Sequence, residues 1–354
     1  MNTIEEIAMR AGVSTATVSR TFHSPAKINR ETATRILQIA DQLKYSPRPG
    51  RSKRKLTGGH IAMESVNAGD IGFLFFSENP KQLYASDSFY GLVLHGVQVQ
   101  AKVLGLTVEV DIADRYEVPT SLPAMIEQRS VKGLLLVGSA PSQILTFFSS
   151  AAPNIVYVDR LDPSGERDAI LSDGIGGALT VMRHLGDLGH RKIAFVCPAS
   201  EAETFNERYQ GFQLYCNDKD IPLDPRMVVI EEGYNNLRSR VEALVTSPYA
   251  PTAIFAANDL TAAMVLHACH ARSISVPGQV SVVGFDDMDL AKHVWPPLTT
   301  LHVDIEGIGQ QAALRLYERM TFLSPSASRL APATIRVHGS LVVRESTAPP
   351  SSVA

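Results

Sequence analysis

The sequence contains few cysteines and no long apolar run. Its three cysteines, Cys197, Cys216 and Cys269, show no C-x-x-C spacing, which argues against a disulfide framework and a cysteine-ligated zinc site. No run approaches the roughly 18–20 apolar residues that span a bilayer, and the first residues lack the basic and then apolar pattern of a secretion signal. We therefore expect a cytoplasmic protein that makes no membrane contact.

Positive charge is concentrated at one end of the chain. Hydrophobic residues make up 45% of the 354 residues and charged residues 19%, as is usual for a globular protein with a sizeable core. Residues 1–60 contain eleven Lys and Arg against four Asp and Glu, a net +7, so the rest must carry −10 to give the total of −3. A small basic module on an acidic body is suited to binding DNA, because local positive charge attracts the phosphates.

The first 45 residues carry the pattern of a helix-turn-helix. Thr3 and Glu6 form a T-x-x-E capping box at the start of a first helix, and Gly12 ends that helix. Ser14 then caps a second helix that runs to about Arg20 and has small hydroxyl residues at its N-terminus. Two short helices joined by a glycine turn are typical of a DNA-binding module whose second helix enters the major groove.

A third helix, from Asn29 to Lys44, completes this module in the predicted arrangement. Its apolar residues pack with those of the first two helices. The predicted small core consists of Ile4, Ile7, Ala8, Val18, Ile36, Leu37, Ile39, Ala40 and Leu43.

Two segments, Thr3–Ala8 and Ala11–Arg20, resemble the head of the LacI/GalR (lactose-repressor) family. The resemblance implies a transcription factor whose second helix reads base edges with Thr15, Ala16 and Arg20. Arg20 can donate two hydrogen bonds to guanine, whereas Ala16 offers only a methyl contact. The expected DNA-binding residues, with phosphate contacts and linker included, are Thr3, Ser14, Thr15, Ala16, Thr17, Ser19, Arg20, Arg51 and Lys53.

Residues 46–69 read as a linker rich in Pro, Gly and basic residues. Relatives have a hinge helix here that ends in Ala-Arg-x-Leu, whose leucine enters the minor groove. This chain has Gly50-Arg51-Ser52-Lys53 at that place. Either Leu56 replaces the missing leucine, or the linker is a flexible basic strap on the phosphates. We favour the strap, which predicts stronger salt dependence and less DNA bending.

From Asp70 onward, short apolar runs alternate with helix-like segments. This alternation predicts an α/β body with two doubly wound parallel sheets. In such folds ligands bind beyond the carboxyl ends of the strands, and two lobes leave a cleft between them. The predicted strands are Ile71–Phe76, Leu106–Val110, Gly133–Val137, Ile155–Val158, Lys192–Val196, Ala253–Ala256 and Val280–Phe285.

The LacI/GalR resemblance continues through residues 70–346, for example in Glu207–Phe212, Pro251–Asp259 and Val276–Asp287. It implies the two-lobed fold of periplasmic sugar-binding proteins, and Thr261, Met264 and Ser273 depart from the family pattern. The expected crossovers between lobes lie near Ser172, Leu301 and Pro332. Lobe 1 then covers about 70–171 and 302–332, lobe 2 about 172–301 and 333–346, and residues 347–354 form a disordered tail.

Three polar side chains are placed to meet a ligand in this cleft. Asn258 and Asp286 each follow an apolar strand, and Arg208 lies early in a helix. An Asp, an Asn and an Arg that converge in a cleft suit a polyhydroxylated ligand. The resemblance implies further contacts at matching positions, so the expected effector-binding residues are Phe89, Tyr90, Asp159, Thr204, Arg208, Tyr234, Asn258 and Asp286.

Two other classes of protein compete with this interpretation. An enzyme is disfavoured because Asp173–Gly177 does not continue into a G-x-G-x-x-G fingerprint and no other catalytic motif is present. His267 and His270 lie one turn apart but lack a third metal ligand at a sensible spacing. An exported sugar-binding protein shares the body fold, but the basic head and the missing secretion signal oppose it.

The sequence thus predicts a repressor without enzymatic activity, cofactor or metal. It binds near-palindromic double-stranded operator DNA as a homodimer, each head reading one half-site, and responds to a small molecule, expected to be a sugar or sugar derivative. We expect a dimer and no tetramer, because the chain ends in Ala348–Ala354, which contains two prolines and no apolar heptad.

Overall fold

The computed structural model divides the chain into two compact units, Met1–Met63 and Glu64–Ala354. We call the first the head and the second the body. The structure describes residues 4–15, 17–18, 21, 29, 32, 35–36, 39–40, 43, 70–84, 88–117, 120–152, 154–162, 164–199, 203–321 and 331–351. The predicted linker, 46–69, lies outside the described residues.

The head begins with helix α1, Ile4–Ala11. Glu6 accepts a hydrogen bond from Arg10 at 2.8 Å within this helix, while Thr3, its expected capping partner, lies outside the described residues. The Ser14 side chain caps the next helical turn, as predicted, because its Oγ accepts from Thr17 N at 3.2 Å. A small core joins these turns to the third helical segment, and its buried members are Ile7, Ala8, Ala11, Val18, Ile36 and Ala40.

The body contains two six-stranded sheets, each of which forms one lobe with its helices. The sheet of lobe 1 has the order β11-β5-β4-β3-β1-β2 and is parallel throughout. Its strands are β1 Asp70–Phe76, β2 Val108–Ala113, β3 Val131–Val137, β4 Ile155–Val158, β5 Asp168–Ser172 and β11 Thr334–Val337. Strands β1, β3, β4 and β5 are almost fully buried, which explains their continuous apolar runs.

The sheet of lobe 2 has the order β12-β10-β9-β8-β6-β7, and only the pairing of β10 with β12 is antiparallel. Its strands are β6 Ile193–Pro198, β7 Val228–Glu231, β8 Ala253–Ala256, β9 Ser281–Asp286, β10 Thr299–His302 and β12 Ser340–Val342. The expected class, a helix-turn-helix head with a two-lobed body of doubly wound sheets, is confirmed.

Helices connect the strands of both lobes. Lobe 1 contains α2 Phe89–Leu104, α3 Ala124–Glu127, α4 Ser142–Ser149 and α10 Ile305–Thr321. Lobe 2 contains α5 Gly174–Asp187, α6 Glu203–Asp218, α7 Tyr234–Val245, α8 Asp259–Ala271 and α9 Leu290–His293. Sequence signals set several of these boundaries: Asp173 caps α5 through Gly176 N, and α2 ends at Gly105, which adopts a left-handed φ of 72°.

The chain passes between the two lobes three times, at Asp173, at Val303–Asp304 and at His338–Gly339. The third passage lies later than the expected position near Pro332. Strand β11 pairs in register with β5 and therefore completes the sheet of lobe 1, so its predicted place in lobe 2 is wrong. The apolar alternation of β11 is too short to show which sheet it joins.

The expectation of a disordered tail is wrong for residues 347–351. Ala348 N donates to Ser281 Oγ at 3.0 Å, and the Ala348 carbonyl lies 2.9 Å from Nε2 of His190. His190 is 1% exposed, and a buried imidazole requires such partners. The tail is therefore held against lobe 2 by a buried polar cluster, while 352–354 lie outside the described residues.

No helix among the described residues is long and apolar enough to cross a membrane. Within the same described part of the chain, no three His, Cys, Asp or Glu side chains lie together as metal ligands would.

Candidate functional site

A cavity of about 550 Å³ lies where the carboxyl ends of the two sheets face each other. Both lobes contribute to its wall, since Asp159 follows β4 of lobe 1 and Asp286 ends β9 of lobe 2. This is the expected ligand position for doubly wound sheets. The structure brings together at this cavity all eight residues predicted to bind an effector: Phe89, Tyr90, Asp159, Thr204, Arg208, Tyr234, Asn258 and Asp286.

Arg208 and Asp286 form a buried ion pair in the cavity wall. One guanidinium nitrogen of Arg208 donates to Asp286 Oδ1 at 3.0 Å, and another donates to the Ala257 carbonyl. The guanidinium lies 3.8 Å from the centre of the Phe285 ring and forms a cation–π interaction with it. Arg208 Nε has no hydrogen-bond partner among the described residues. Burial raises the pKa of Asp286, although the Arg208 charge opposes the shift.

On the lobe 1 side, Tyr90 donates its hydroxyl proton to Asp159 Oδ2 at 2.9 Å. The Tyr90 ring packs on Phe75, with centroids 4.6 Å apart, and meets Phe89 edge-on at 5.3 Å. Burial raises the pKa of Asp159 to about 6, against the lowering effects of the Tyr90 hydrogen bond and of the Arg208 charge. The rings of Phe89 and Tyr90 thus form an apolar part of the cavity wall beside the Asp159 carboxyl group.

Two aspartates at the site have unusual backbone conformations. Asp159 has a φ of 61° and Asp286 a φ of 107°, in the region that favours glycine. Such conformations cost free energy and are concentrated at ligand sites, where they direct a side chain. Both carboxyl groups line the cavity.

Asn258 both lines the cavity and starts a helix. Its Oδ1 accepts a hydrogen bond from Thr261 N at 2.8 Å and so caps α8. Thr204, on the first turn of α6, is 3% exposed, whereas Tyr234, the first residue of α7, is 40% exposed. The structure therefore shows a capping role for Asn258 alongside its position at the cavity.

Asp259 lines the cavity as well and was not predicted from the sequence. It is 1% exposed, and its carboxylate accepts hydrogen bonds from the Thr300 hydroxyl and, at 2.7 Å, from Met288 N. Burial raises its pKa to about 7, and the negative charge of Asp286 adds to the shift. No cation forms an ion pair with Asp259 among the described residues.

Lobe 1 contributes further polar residues that sequence reasoning missed. Ser77 follows β1, Arg115 follows β2 and Ser139 follows β3, and all three line the cavity. A polar side chain within two residues of the end of a predicted strand, the criterion that selected Asn258 and Asp286, also finds Ser77 and Ser139. It does not find Arg115, because the strand predicted there ended at Val110 and the strand in the structure continues to Ala113.

In the head, three of the predicted DNA-binding residues are described. Ser14 and Thr15 are exposed and Thr17 is half-buried, with the Ser14 and Thr17 hydroxyl oxygens 2.9 Å apart. The remaining predicted residues lie outside the described residues: Thr3, Ala16, Ser19, Arg20, Arg51 and Lys53.

Comparison with known proteins matches both units. Residues 3–48 match the family model "Bacterial regulatory proteins, lacI family", and residues 182–347 match the model "Periplasmic binding protein-like domain". The combination defines a DNA-binding transcriptional regulator whose body contains a periplasmic-binding-protein-like domain.

Similarity extends over nearly the whole chain. The transcriptional repressor PurR of Haemophilus influenzae (strain PittEE) is 28% identical over 355 residues, covering 98% of each chain. Among solved structures, a transcriptional regulator CelR–cellobiose complex is 25% identical with a TM-score of 0.66 and covers 98% of this chain and 100% of its own. The lac repressor dimer bound to operator and the anti-inducer ONPF is 23% identical with a TM-score of 0.68, covering 98% and 99%. The chain belongs to the LacI/GalR family of regulators.

Proposed function

We propose that this protein is a repressor whose affinity for a near-palindromic operator is controlled by an uncharged, polyhydroxylated small molecule bound between its lobes. The observation that carries the proposal is the convergence of Arg208, Asp286, Asp159 and Asn258 on one cavity. The cavity volume of about 550 Å³ falls within the range usual for small-molecule sites, roughly 300–1,000 Å³.

The charges of the wall support an uncharged ligand. Four carboxyl groups line the cavity, those of Glu78, Asp159, Asp259 and Asp286, against the two guanidinium groups of Arg115 and Arg208. A phosphorylated or carboxylated ligand has to approach this excess of acidic groups, which disfavours it. Hydroxyl groups can donate to the carboxylates and accept from the guanidinium groups of Arg115 and Arg208, both of which line the cavity.

The aromatic residues supply the apolar part of the recognition. Phe89 and Tyr90 present ring surface next to the Asp159 carboxyl group. A sugar ring has one relatively apolar face and a polar rim, and this pairing of aromatic and carboxyl groups suits both. The cellobiose complex of CelR, which shares the fold across nearly the whole chain, agrees with a saccharide as the ligand class.

For the DNA, we propose that each head of a homodimer reads one half-site with Arg20, Thr15 and Ala16, while Thr3, Ser14, Thr17, Ser19, Arg51 and Lys53 contact phosphates or neighbouring bases. The net +7 of residues 1–60 supplies the attraction to the phosphates. The lac repressor dimer on its operator is a precedent for the arrangement.

The experiment separates the two halves of this proposal. A thermal-shift screen of neutral sugars, sugar phosphates and nucleobases finds a stabilising ligand, and fluorescence anisotropy measures affinity for an operator selected from random DNA. Asp286→Ala should weaken ligand binding about 10- to 150-fold, since it removes a hydrogen bond to a charged group worth about 1.5–3 kcal/mol. In the absence of ligand, the Asp286→Ala variant should bind the operator with the same affinity as the native protein.

Arg20→Ala should show the opposite behaviour, losing specific operator binding while keeping ligand affinity. Asp289→Ala serves as the matched control for Asp286→Ala, because Asp289 is an exposed acid three residues away. A ligand that binds the Asp286→Ala protein as tightly as the native protein excludes the proposed site. A screen in which only sugar phosphates stabilise the protein excludes the uncharged ligand class.

A further inference from the structure

Helix α6, which carries Arg208, is fixed firmly to lobe 2. Its Gly211 lies so close to α5 that a Cβ there would come within 2.6 Å of the Ala178 Cβ and 2.7 Å of the Ile175 carbonyl oxygen. Gly174, at the start of α5, approaches Glu207 just as closely. Helices α5 and α6 therefore pack with almost no side chain between them and move as one body.

The first turns of α6 also contact lobe 1. Glu203 accepts a hydrogen bond from Leu161 N, which follows β4, at 2.7 Å. One turn further on, Glu207 Oε1 accepts a hydrogen bond from the guanidinium of Arg336. Arg336 lies in β11, where it is in register with Leu171 of β5 in the sheet of lobe 1. The helix that carries the ligand-contacting arginine is thus bonded to both lobes.

The Glu207–Arg336 pair differs from a surface salt bridge. Glu207 is 6% exposed, and its second carboxylate oxygen is buried without a hydrogen-bond partner among the described residues. A buried carboxylate requires a counter-charge, and Arg336 forms the ion pair with Glu207 from the opposite lobe. Moving lobe 1 away from α6 has to break this pair and leave the carboxylate buried alone.

We propose that Glu207 and Arg336 form an inter-lobe tether that fixes the angle between lobe 1 and helix α6. Arg208 lies on the same helix and is held by lobe 2, through Asp286 and the Ala257 carbonyl, so a ligand that contacts both Arg208 and the lobe 1 wall favours one lobe angle and acts with or against the tether. Ligand binding and lobe angle then share a coupling free energy. The ligand part of this inference rests on the proposed function, whereas the tether itself does not.

The test measures the distance between the lobes in the full-length protein without ligand. Spin labels at Gln143→Cys in α4 and Ser239→Cys in α7 report on lobe 1 and lobe 2, since both positions are exposed and away from the cavity. The native cysteines are buried and so disfavour labelling. Because the protein is proposed to be a homodimer, the doubly labelled chain is mixed with an excess of unlabelled chain, so that distances within one protomer dominate. Double electron–electron resonance then gives the distribution of distances between the lobes.

The native protein should show one narrow distribution. Arg336→Gln and Glu207→Gln should each add a longer component, with the ratio of long to short distances raised about five- to tenfold. Arg336→Lys, which keeps the charge, should restore most of the native distribution. Arg272→Gln removes an ion pair with Glu242 that lies wholly within lobe 2, and it should leave the distribution unchanged.

A purely structural role gives a different result. If Arg336→Gln lowers the melting temperature but keeps the native distance distribution, the tether is refuted. The same conclusion follows if Arg272→Gln shifts the distances as much as Arg336→Gln. Because this readout uses no ligand, its failure leaves the proposed function standing, and a failure of the Asp286→Ala experiment leaves the tether standing.

Discussion

Replacing Asp259 with Asn should stabilise the protein at neutral and basic pH. The carboxyl group is 1% exposed and accepts hydrogen bonds from the Thr300 hydroxyl and from Met288 N. An amide of the same shape can keep both contacts, because its carbonyl can accept from Met288 N and its NH₂ can donate to the Thr300 hydroxyl oxygen. The substitution therefore removes the charge and little else.

The size of the effect follows from the raised pKa. Burial, and then the Asp286 charge, raise the pKa of Asp259 from 3.8 to about 7. At about 1.4 kcal/mol per pKa unit, the charged form costs up to roughly 4 kcal/mol of unfolding free energy above pH 7. Imperfect fit of the amide reduces the expected gain in unfolding free energy to about 1–3 kcal/mol. Each kcal/mol corresponds to a rise of about 2–4 °C in melting temperature.

The direction of the pH dependence of stability follows from proton binding to Asp259. Between pH 4 and pH 7 the folded protein holds a proton on Asp259 that the unfolded chain has lost, so the native free energy of unfolding falls as pH rises through this window. The Asn variant lacks this dependence. Relative to the native protein, the Asn variant should be less stable at pH 4 by the cost of the imperfect fit, gain stability up to pH 7 and keep a constant advantage above it.

Calorimetry of both proteins at pH 4 and pH 8 measures this difference, with Asp289→Asn as the control at an exposed acid. A melting temperature that falls at pH 8, or one that rises equally at both pH values, would refute the reasoning. A confirmed gain would mean that the chain keeps a destabilising carboxyl group in the cavity wall, as expected of a binding site.

Three further substitutions test other parts of the body. Ser273→Gly should raise the free energy of unfolding by about 0.5–1 kcal/mol, because Ser273, two residues after the end of α8, has a left-handed φ of 58°. Ser239→Gly, in the middle of α7, should lower it by a similar amount. Asp168→Asn should destabilise by about 3 kcal/mol at pH 7, because this fully buried carboxylate pairs with Arg315 and Arg319. Burial alone raises the pKa of Asp168, but hydrogen bonds from Arg319 and Arg315 lower it overall, so the loss should begin to shrink as pH falls below about 4 and shrink further toward the lowered pKa of the folded protein. Melting curves check all three, and an Asp168→Asn loss that persists undiminished at pH 3 contradicts the role assigned to Asp168.

The strands that the sequence predicted are those with continuous apolar runs. Ile155–Val158 and Ala253–Ala256 agree with the structure residue for residue, because both are central strands buried on both faces. Strands β5, β7, β10, β11 and β12 were not predicted. Asp168 opens β5 with a charge, and β11 and β12 are short edge strands whose partners are set by tertiary pairing.

The site was predictable to the extent that it follows from strand ends and from family likeness. Asn258 and Asp286 could be selected from sequence because each follows an apolar strand. The Glu207–Arg336 pair could not, since the two residues are far apart in the chain and only the late third crossover brings β11 beside α6. The raised pKa of Asp259 could not be predicted from the sequence either, because it arises from burial in the folded protein.

The late position of β11 and β12 has a consequence for how the chain is made. Each strand forms one edge of a different sheet, and both lie in the last few dozen residues described. During synthesis neither sheet can therefore be completed until these two strands have left the ribosome. A ribosome stalled before Thr334 thus presents a body in which both sheets lack an edge strand. Premature stop codons in this region should accordingly damage both lobes together.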